Sequence, residues 1–92
     1  MDLAAALCVA SALTDVPLPE KTAALGEIGL TGEIRGVPRL DARLAECRRL
    51  GYSTVLVPKG SRQPKAEGLR TVPVGTLMEA IAFVLHGKEN LP

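Results

Sequence analysis

Apolar and polar positions divide the 92-residue chain into short segments with different periodicities. Residues 3–13 are almost wholly apolar and rich in alanine, the strongest helix former, which predicts a helix that is buried on all sides. Two prolines follow between residues 14 and 20, and because a proline cannot continue a helix this stretch is predicted to be an extended connector.

Residues 22–37 alternate apolar residues with glycines, a pattern that predicts a β-hairpin turning near residues 30–32. Glu27 and Glu33 flank the predicted turn. Two interpretations of these carboxylates stay open: solvated hairpin positions, which we favour, and a catalytic pair.

The middle of the chain predicts an amphipathic helix over residues 39–50. Leu40, Leu44 and Cys47 lie at positions i, i+4 and i+7, so they share one face of such a helix. Gly51 follows, where a helix often ends in a left-handed residue.

The last third predicts two strands and a helix. Residues 53–58 form a compact β-branched run typical of a strand buried on both faces, and residues 69–74 predict a second strand. A helix over residues 76–86 begins with Thr76 and Glu79 in the T-x-x-E spacing of a capping box. The order helix, hairpin, helix, strand, strand, helix predicts an α/β fold, with three helices and a small mixed sheet in one domain.

Composition excludes several classes of protein. The chain is 47% hydrophobic and 23% charged with a net charge of +1, which is typical of an ordinary globular domain rather than a disordered or strongly basic one. Tyr52 and Phe83 are its only aromatic residues, so no platform for stacking bases is expected. Two cysteines and one histidine are too few ligands for a zinc site.

Cys8 and Cys47 lie far apart and neither belongs to a CxxC pair. We expect both to be buried, reduced thiols, although a disulfide between them stays open. The apolar run over residues 3–13 is too short to span a membrane, and Asp2 argues against a signal peptide. A cytoplasmic protein without a membrane partner is therefore predicted.

The segment GEIGLTGEIRGVPRLDARLAECRRLGYSTVLVPKG, residues 26–60, resembles the C-terminal region of the RadA (Sms) family of bacterial DNA repair and recombination factors, which carries a Lon-protease-like domain. Weaker similarity extends over almost the whole chain, and a more distant one relates it to the proteolytic domain of Lon proteases. The resemblance implies the C-terminal half of a Lon-like domain, whose α/β fold is shared with the second domain of a small-subunit ribosomal protein.

Lon-type proteases use a serine nucleophile with a lysine as its general base. Carrying the family pattern along without gaps places the lysine position on Arg43 and the nucleophile position before Met1. A guanidinium stays protonated and offers no lone pair, so no catalytic residue is expected. Arg43 should instead border the core in a structural role, such as an ion pair with a carboxylate.

Cofactors are not expected in this chain. It contains no G-x-x-x-x-G-K-[ST] phosphate loop. The resemblance implies that ATP and zinc belong to domains that lie upstream in the family.

Charge is unevenly distributed along the chain. Residues 35–65 hold eight basic residues against two acidic ones, whereas residues 1–34 hold one lysine against five acidic residues. The sequence alone favours a merely solvated surface, but the resemblance implies contact with branched or single-stranded DNA through phosphates. The DNA-binding candidates are Arg35, Arg39, Arg48, Arg49, Lys59, Arg62 and Lys65.

The resemblance thus implies a non-catalytic scaffold and DNA-contacting module of an ATP-dependent repair and recombination factor that carries out branch migration. Two alternatives stay open: a C-terminal fragment of an ATP-dependent Lon-type serine protease, and a free-standing oligomerisation domain. If the chain begins at Met1, the apolar first helix and an unpaired sheet edge predict a dimer or higher oligomer.

Overall fold

The computed structural model describes residues 1–61 and 68–86. The α/β class is confirmed, with three helices and both parallel and antiparallel strands. In chain order the elements are α1 (Leu3–Thr14), β1 (Thr22–Ala24), β2 (Glu27–Ile28), β3 (Ile34–Arg35), α2 (Leu40–Arg49), β4 (Thr54–Pro58), β5 (Arg70–Val74) and α3 (Leu77–His86).

A parallel sheet with the strand order β1-β4-β5 forms the middle layer. Successive side chains of β4 point to opposite faces, so Val55 and Val57 pack with α2 on one face while Leu56 packs with α1 and α3 on the other. All three are completely buried. This confirms the prediction of a strand buried on both faces.

Buried leucine side chains pack against each face of the sheet. Leu44 of α2 is fully buried against Val55 and Val57, while Leu3 and Leu7 of α1 are buried with the side chains that α3 contributes. Fully burying one such side chain is worth about 1.5–3 kcal/mol. Aliphatic side chains on both faces therefore hold the three layers together.

The prediction of one hairpin over residues 22–37 is wrong in its first part. Residues 22–24 form β1 and pair in parallel with β4, and only β2 and β3 form an antiparallel ladder. Gly26 lets the chain pass close to β3, because a Cβ atom there would lie 2.7 Å from Cγ2 of Ile34. The turn of the ladder does lie at residues 30–32, where Gly29 N donates to the Glu33 carbonyl over 2.8 Å.

The prediction that the first helix is buried on all sides is also wrong. In α1 the side chains of Val9 and Leu13 are 54% and 82% exposed, and Cys8 is exposed as well. The helix packs against α3 and β1 on its inner side, and in the described residues no further layer covers its outer side. The two cysteines are free, and only Cys47 is buried as expected.

The helix ends follow local capping rules. The Asp2 side chain accepts a hydrogen bond from Ala5 N at the start of α1. At the start of α3, Glu79 N donates to Thr76 Oγ1 and Thr76 N donates to Glu79 Oε1, both over 3.1 Å, so the predicted capping box is confirmed. Among the described residues, no helix is long and apolar enough to cross a membrane.

Candidate nucleic-acid interface

The two ends of the parallel sheet organise the basic side chains. We call the end where β1, β4 and β5 finish the carboxyl edge, and the opposite end the amino edge. The β2-β3 ladder lies at the carboxyl edge, where Ile34 N donates to the carbonyl of Gly75 over 2.9 Å. Because α2 leads through a short turn into the start of β4, it runs antiparallel to β4, and its last residues lie at the amino edge.

Three of the predicted DNA-binding residues lie at the carboxyl edge: Arg35 in β3, Arg39 just before α2, and Lys59 just after β4. Two of them are paired with carboxylates. Arg35 Nη2 lies 2.9 Å from Glu33 Oε2, and Lys59 Nζ lies 3.8 Å from Glu79 Oε2. These side chains are largely exposed, so the ion pairs contribute little to stability.

Glu33 organises the turn of the β2-β3 ladder. Its Oε1 accepts hydrogen bonds from Thr31 Oγ1 over 2.6 Å and from Thr31 N over 3.1 Å, while its Oε2 accepts from Arg35 Nε over 3.1 Å. The Thr31 hydroxyl, the backbone and the Arg35 guanidinium lower the pKa of Glu33 to about 2. Glu27 instead lies 2.8 Å from the amino group of Met1, so the two carboxylates have separate partners. The interpretation as solvated hairpin positions is the one this geometry favours.

Two further candidates, Arg48 and Arg49, lie in the last turn of α2 at the amino edge. Arg49 Nε donates to Glu46 Oε1 over 3.0 Å, one turn earlier on the same helix. Hydrogen bonding to Arg49 lowers the pKa of Glu46, and the same bond raises the pKa of Arg49. Arg49 therefore presents a charge that Glu46 already balances.

Arg39 and Arg48 are the two candidates in residues 1–61 and 68–86 whose guanidinium groups have no carboxylate within ion-pair distance. They lie at the two ends of α2, whose ten residues span roughly 15 Å at 1.5 Å per residue. Arg62 and Lys65 lie outside the described residues. The structure thus divides the described candidates between two edges rather than bringing them into one stripe.

Two basic residues outside the predicted set also lie at the amino edge. Lys21 immediately precedes β1, and Arg70 begins β5 with its guanidinium carbon 5.6 Å from the centre of the Phe83 ring. Their charges lie outside the basic run between residues 35 and 65, so charge counting along the chain passed over them. The strand order that places them at the same end of the sheet as Arg48 is a tertiary property.

Arg43 occupies an exposed position on α2 rather than the border of the core. Its Nε donates to the carbonyl of Pro38 over 3.2 Å, across the start of the helix. No carboxylate of the described residues pairs with it, so the expected ion pair is wrong. The geometry is local, because the Pro38 carbonyl lies at the helix start within hydrogen-bond distance of the guanidinium.

An apolar cavity of about 310 Å³ opens between the inner side of α1 and β1. Leu7 and Cys8 of α1, Ala24 of β1 and Leu18 of the connector line it together with Tyr52. Within the described residues, no group of three or more His, Cys, Asp or Glu side chains is placed to hold a metal ion.

Comparison with known proteins identifies the family. A family model described as "Subunit ChlI of Mg-chelatase" matches residues 1–61, more than half of the chain. The chain belongs to this family. The individual proteins that it resembles include DNA repair proteins.

Three relatives illustrate this similarity, and each is described as DNA repair protein RadA. The chain is 39% identical over 90 residues to that of Synechocystis sp., an alignment that covers 98% of this chain and 18% of the relative. It is 44% identical over 80 residues to that of Mycolicibacterium smegmatis, covering 87% of the chain and 17% of the relative. For Mycobacterium tuberculosis the identity is 37% over 84 residues, covering 91% and 17%.

The chain therefore spans less than a fifth of the length of these relatives. The resemblance to RadA proteins that residues 26–60 predicted is confirmed.

Proposed function

We propose that the chain is a non-catalytic, Lon-like scaffold and DNA-contacting module of a RadA-type DNA repair and recombination factor that carries out branch migration. One observation carries the proposal: 39% identity to a DNA repair protein over 98% of the chain. Similarity of that extent includes both edges of the sheet and all three helices.

The DNA contacts are assigned first to Arg39 and Arg48. Both guanidinium groups are exposed, and neither has a carboxylate of the described residues to neutralise it. A separation of about 15 Å along α2 spans several phosphates of a duplex, whose charges recur every ~1.7 Å along the axis. Nine residues make about two and a half helical turns, so the two side chains leave α2 on opposite flanks, and each is assigned a separate phosphate contact that carries no sequence information.

Arg35, Arg49 and Lys59 contribute less, because each would exchange a carboxylate partner for a phosphate. Their pairing also explains why the uneven charge along the sequence does not become a strongly basic face. A module in which three of the five described candidates are already paired would bind DNA weakly alone and gain affinity through the larger protein that carries it.

Peptidase activity is not part of this proposal, because a guanidinium at position 43 cannot accept the proton of a nucleophile. ATP and zinc are assigned to other parts of a RadA-type protein, and no cofactor is assigned to this chain. A cytoplasmic location follows from the proposed role on bacterial DNA.

Binding of a fluorescent four-way DNA junction, measured by anisotropy over a series of salt concentrations, tests the proposal. Arg39→Ala and Arg48→Ala should each weaken binding and reduce the slope of log K against log salt by about 1. A matched control is the double substitution Glu46→Gln and Arg49→Gln, which removes an ion pair on the same helix without changing net charge. The control should leave the slope unchanged.

Two outcomes would contradict the proposal. Absence of measurable junction binding at low salt would leave the oligomerisation alternative in its place. An equal loss of binding in the control and in Arg48→Ala would show that charge position on α2 does not matter.

A further inference from the structure

An open cavity lies on the outer surface of α2, close to where this helix begins. Its volume is about 310 Å³, and it is lined by Pro38, Arg39, Ala42, Arg43 and Glu46. These residues lie within one continuous segment, residues 38–46, so the end of a loop and the first two turns of α2 build the whole cavity. Ligand cavities commonly measure roughly 300–1,000 Å³, and a cavity at the lower limit suits a small chemical group.

The guanidinium of Arg43 is held against the start of the helix. Arg43 Nε donates to the carbonyl of Pro38 over 3.2 Å, and Arg43 N donates to the carbonyl of Arg39 over 3.0 Å. The Arg43 side chain therefore lies next to the peptide that joins Pro38 to Arg39. A guanidinium has five N–H groups, and within the described residues only the one on Nε has an acceptor. The remaining N–H groups are available to an acceptor in the cavity.

Arg39 and Arg43 are neighbouring cations, and among residues 1–61 and 68–86 neither has a carboxylate partner. Like charges about one helical turn apart repel each other. Glu46, the acid in the cavity lining, is engaged by Arg49 through both carboxylate oxygens. Asp41 lies two residues from Arg43, about 200° around the helix, and so on the opposite side. The cavity therefore has an excess of positive charge that an anion would balance.

We propose that this cavity binds a phosphate group, held by Arg39 and Arg43 together. The two guanidinium groups donate to the phosphate oxygens, while Pro38 and Ala42 contribute apolar side chains that offer no competing acceptor. Hydrogen bonds from guanidinium to phosphate are charge-assisted and can be bidentate. Two arginines side by side therefore favour a phosphate over a small monovalent anion such as chloride.

The inference rests on the proposed function for the source of the phosphate, which is the backbone of DNA. It adds Arg43 to the phosphate contact that is assigned to Arg39, so that two side chains hold one phosphate near the start of α2. Arg48, at the other end of the helix, keeps a contact of its own. Free phosphate compounds have the same chemistry, and the experiment separates the two sources.

Titrations followed by the NMR signals of the arginine Nε–H groups test the cavity. One arm uses pyrophosphate, and the other uses a short oligothymidylate, which is single-stranded DNA without base pairing. In each arm the signals of Arg39 and Arg43 should shift together and give one common dissociation constant. The signal of Arg49, whose Nε–H already donates to Glu46, should shift less.

A pair of matched substitutions tests the role of Arg43. Arg43→Gln should weaken pyrophosphate binding at least ~10-fold, because it removes a charge-assisted hydrogen bond. The control is Arg70→Gln, which removes the same charge from the start of β5 at the amino edge. Salt screens this distant charge, so the control should weaken pyrophosphate binding less than ~2-fold. Circular dichroism checks the fold of both variants, and if Arg43→Gln does not fold, the shifts in the unmodified chain still decide.

The outcomes separate this inference from the proposed function. Shifts of Arg39 and Arg43 with pyrophosphate but not with the oligothymidylate would support the phosphate site and contradict the DNA contact. Oligothymidylate binding that shifts Arg39 and Arg48 but leaves Arg43 unmoved would overturn the phosphate site and support the DNA contact. The phosphate site would also be overturned if neither probe shifted Arg43, or if Arg43→Gln and Arg70→Gln weakened binding equally.

Discussion

Helices α1 and α2 cover opposite faces of one sheet, yet they match their surroundings very differently. α2 buries Leu44 and Cys47 and exposes charged residues along the rest of its surface, as expected of a helix at a solvent boundary. α1 buries Leu3, Ala6 and Leu7 but has no charged residue anywhere along its length. Its outer side is consequently apolar and exposed.

The apolar content of a helix shows how much surface the helix can bury. How much of that surface is covered depends on the surrounding elements. In α2 the two quantities agree, so nothing beyond this chain is needed to explain its sequence. In α1 they differ, because Val9 and Leu13 on its outer side are exposed. The sequence of a helix therefore shows its apolar content, but only the structure shows how much of that content is covered.

The largest expected effect is a loss of stability from substitutions on the sheet-facing sides of α1 and α2, where the two helices should behave alike. Leu7→Ala in α1 and Leu44→Ala in α2 each remove a buried leucine from one side of the sheet. Each should lower the free energy of unfolding by about 2–5 kcal/mol, because both leave a cavity against a packed strand. Urea denaturation followed by circular dichroism measures this.

The matched control is Leu13→Ala, which truncates an 82% exposed leucine on the same helix as Leu7. It should change the stability of the monomer by less than about 0.5 kcal/mol. A cost for Leu7→Ala as small as that of the control would show that α1 is not part of the core.

The next largest expected effect is a difference in reactivity between the two cysteines, since α1 and α2 each contain one. Cys8 is exposed on α1, whereas Cys47 is buried under α2, where desolvation and then the neighbouring charge of Glu46 raise the pKa of its thiol. Thiolates are the reactive form, so a thiol reagent at pH 8 should modify Cys8 at least ~100-fold faster than Cys47. Mass spectrometry of peptides after timed alkylation measures both rates in one sample.

The variants Cys8→Ser and Cys47→Ser assign the two rates to their residues. Comparable rates at both thiols would mean that the α2 layer opens readily or that α1 is covered. The same labelling repeated at high protein concentration sharpens the comparison, because an α1 face covered in a dimer should slow the modification of Cys8 alone.

The smallest expected effect is the local loss of stability at acidic pH. The pKa values of Glu33, Glu46 and Glu79 are lowered by their hydrogen bonds and cationic neighbours, so these carboxylates stabilise the fold while they are ionised. For Glu33 the contribution is complete above its ordinary pKa of 4.5 and is lost as the pH falls towards about 2. The region around the β2-β3 turn and the ends of α2 and α3 should therefore loosen first.

Helix α1 has no ionisable carboxylate within its length, so its amides should stay protected over the same pH range. Amide exchange measured by NMR between about pH 5 and pH 2.5 follows both regions together. Glu33→Gln should remove the acid dependence of the turn. Simultaneous loss of protection in α1 and in the turn would contradict the prediction that acid loosens the turn before α1.

Much of the site could be anticipated from local spacing alone. Glu46 and Arg49 lie three residues apart on a helix and face each other by geometry, as do Thr76 and Glu79 in their capping box. In contrast, Lys59 and Glu79 are brought together only by the packing of α3 against the end of the sheet. The uneven charge along the sequence therefore identified the basic candidates, but it did not show which of them form ion pairs with carboxylates.

The sequence by itself determined the three helices, the strand buried on both faces and the relationship to RadA proteins, because all of these depend on residues that are close together along the chain. Only the tertiary structure decided that residues 22–24 join a parallel sheet, that one side of α1 stays uncovered and that the basic side chains divide between two edges. The physical reason is that periodicity specifies which side of an element is apolar, whereas the partner of that side is chosen by elements distant in sequence.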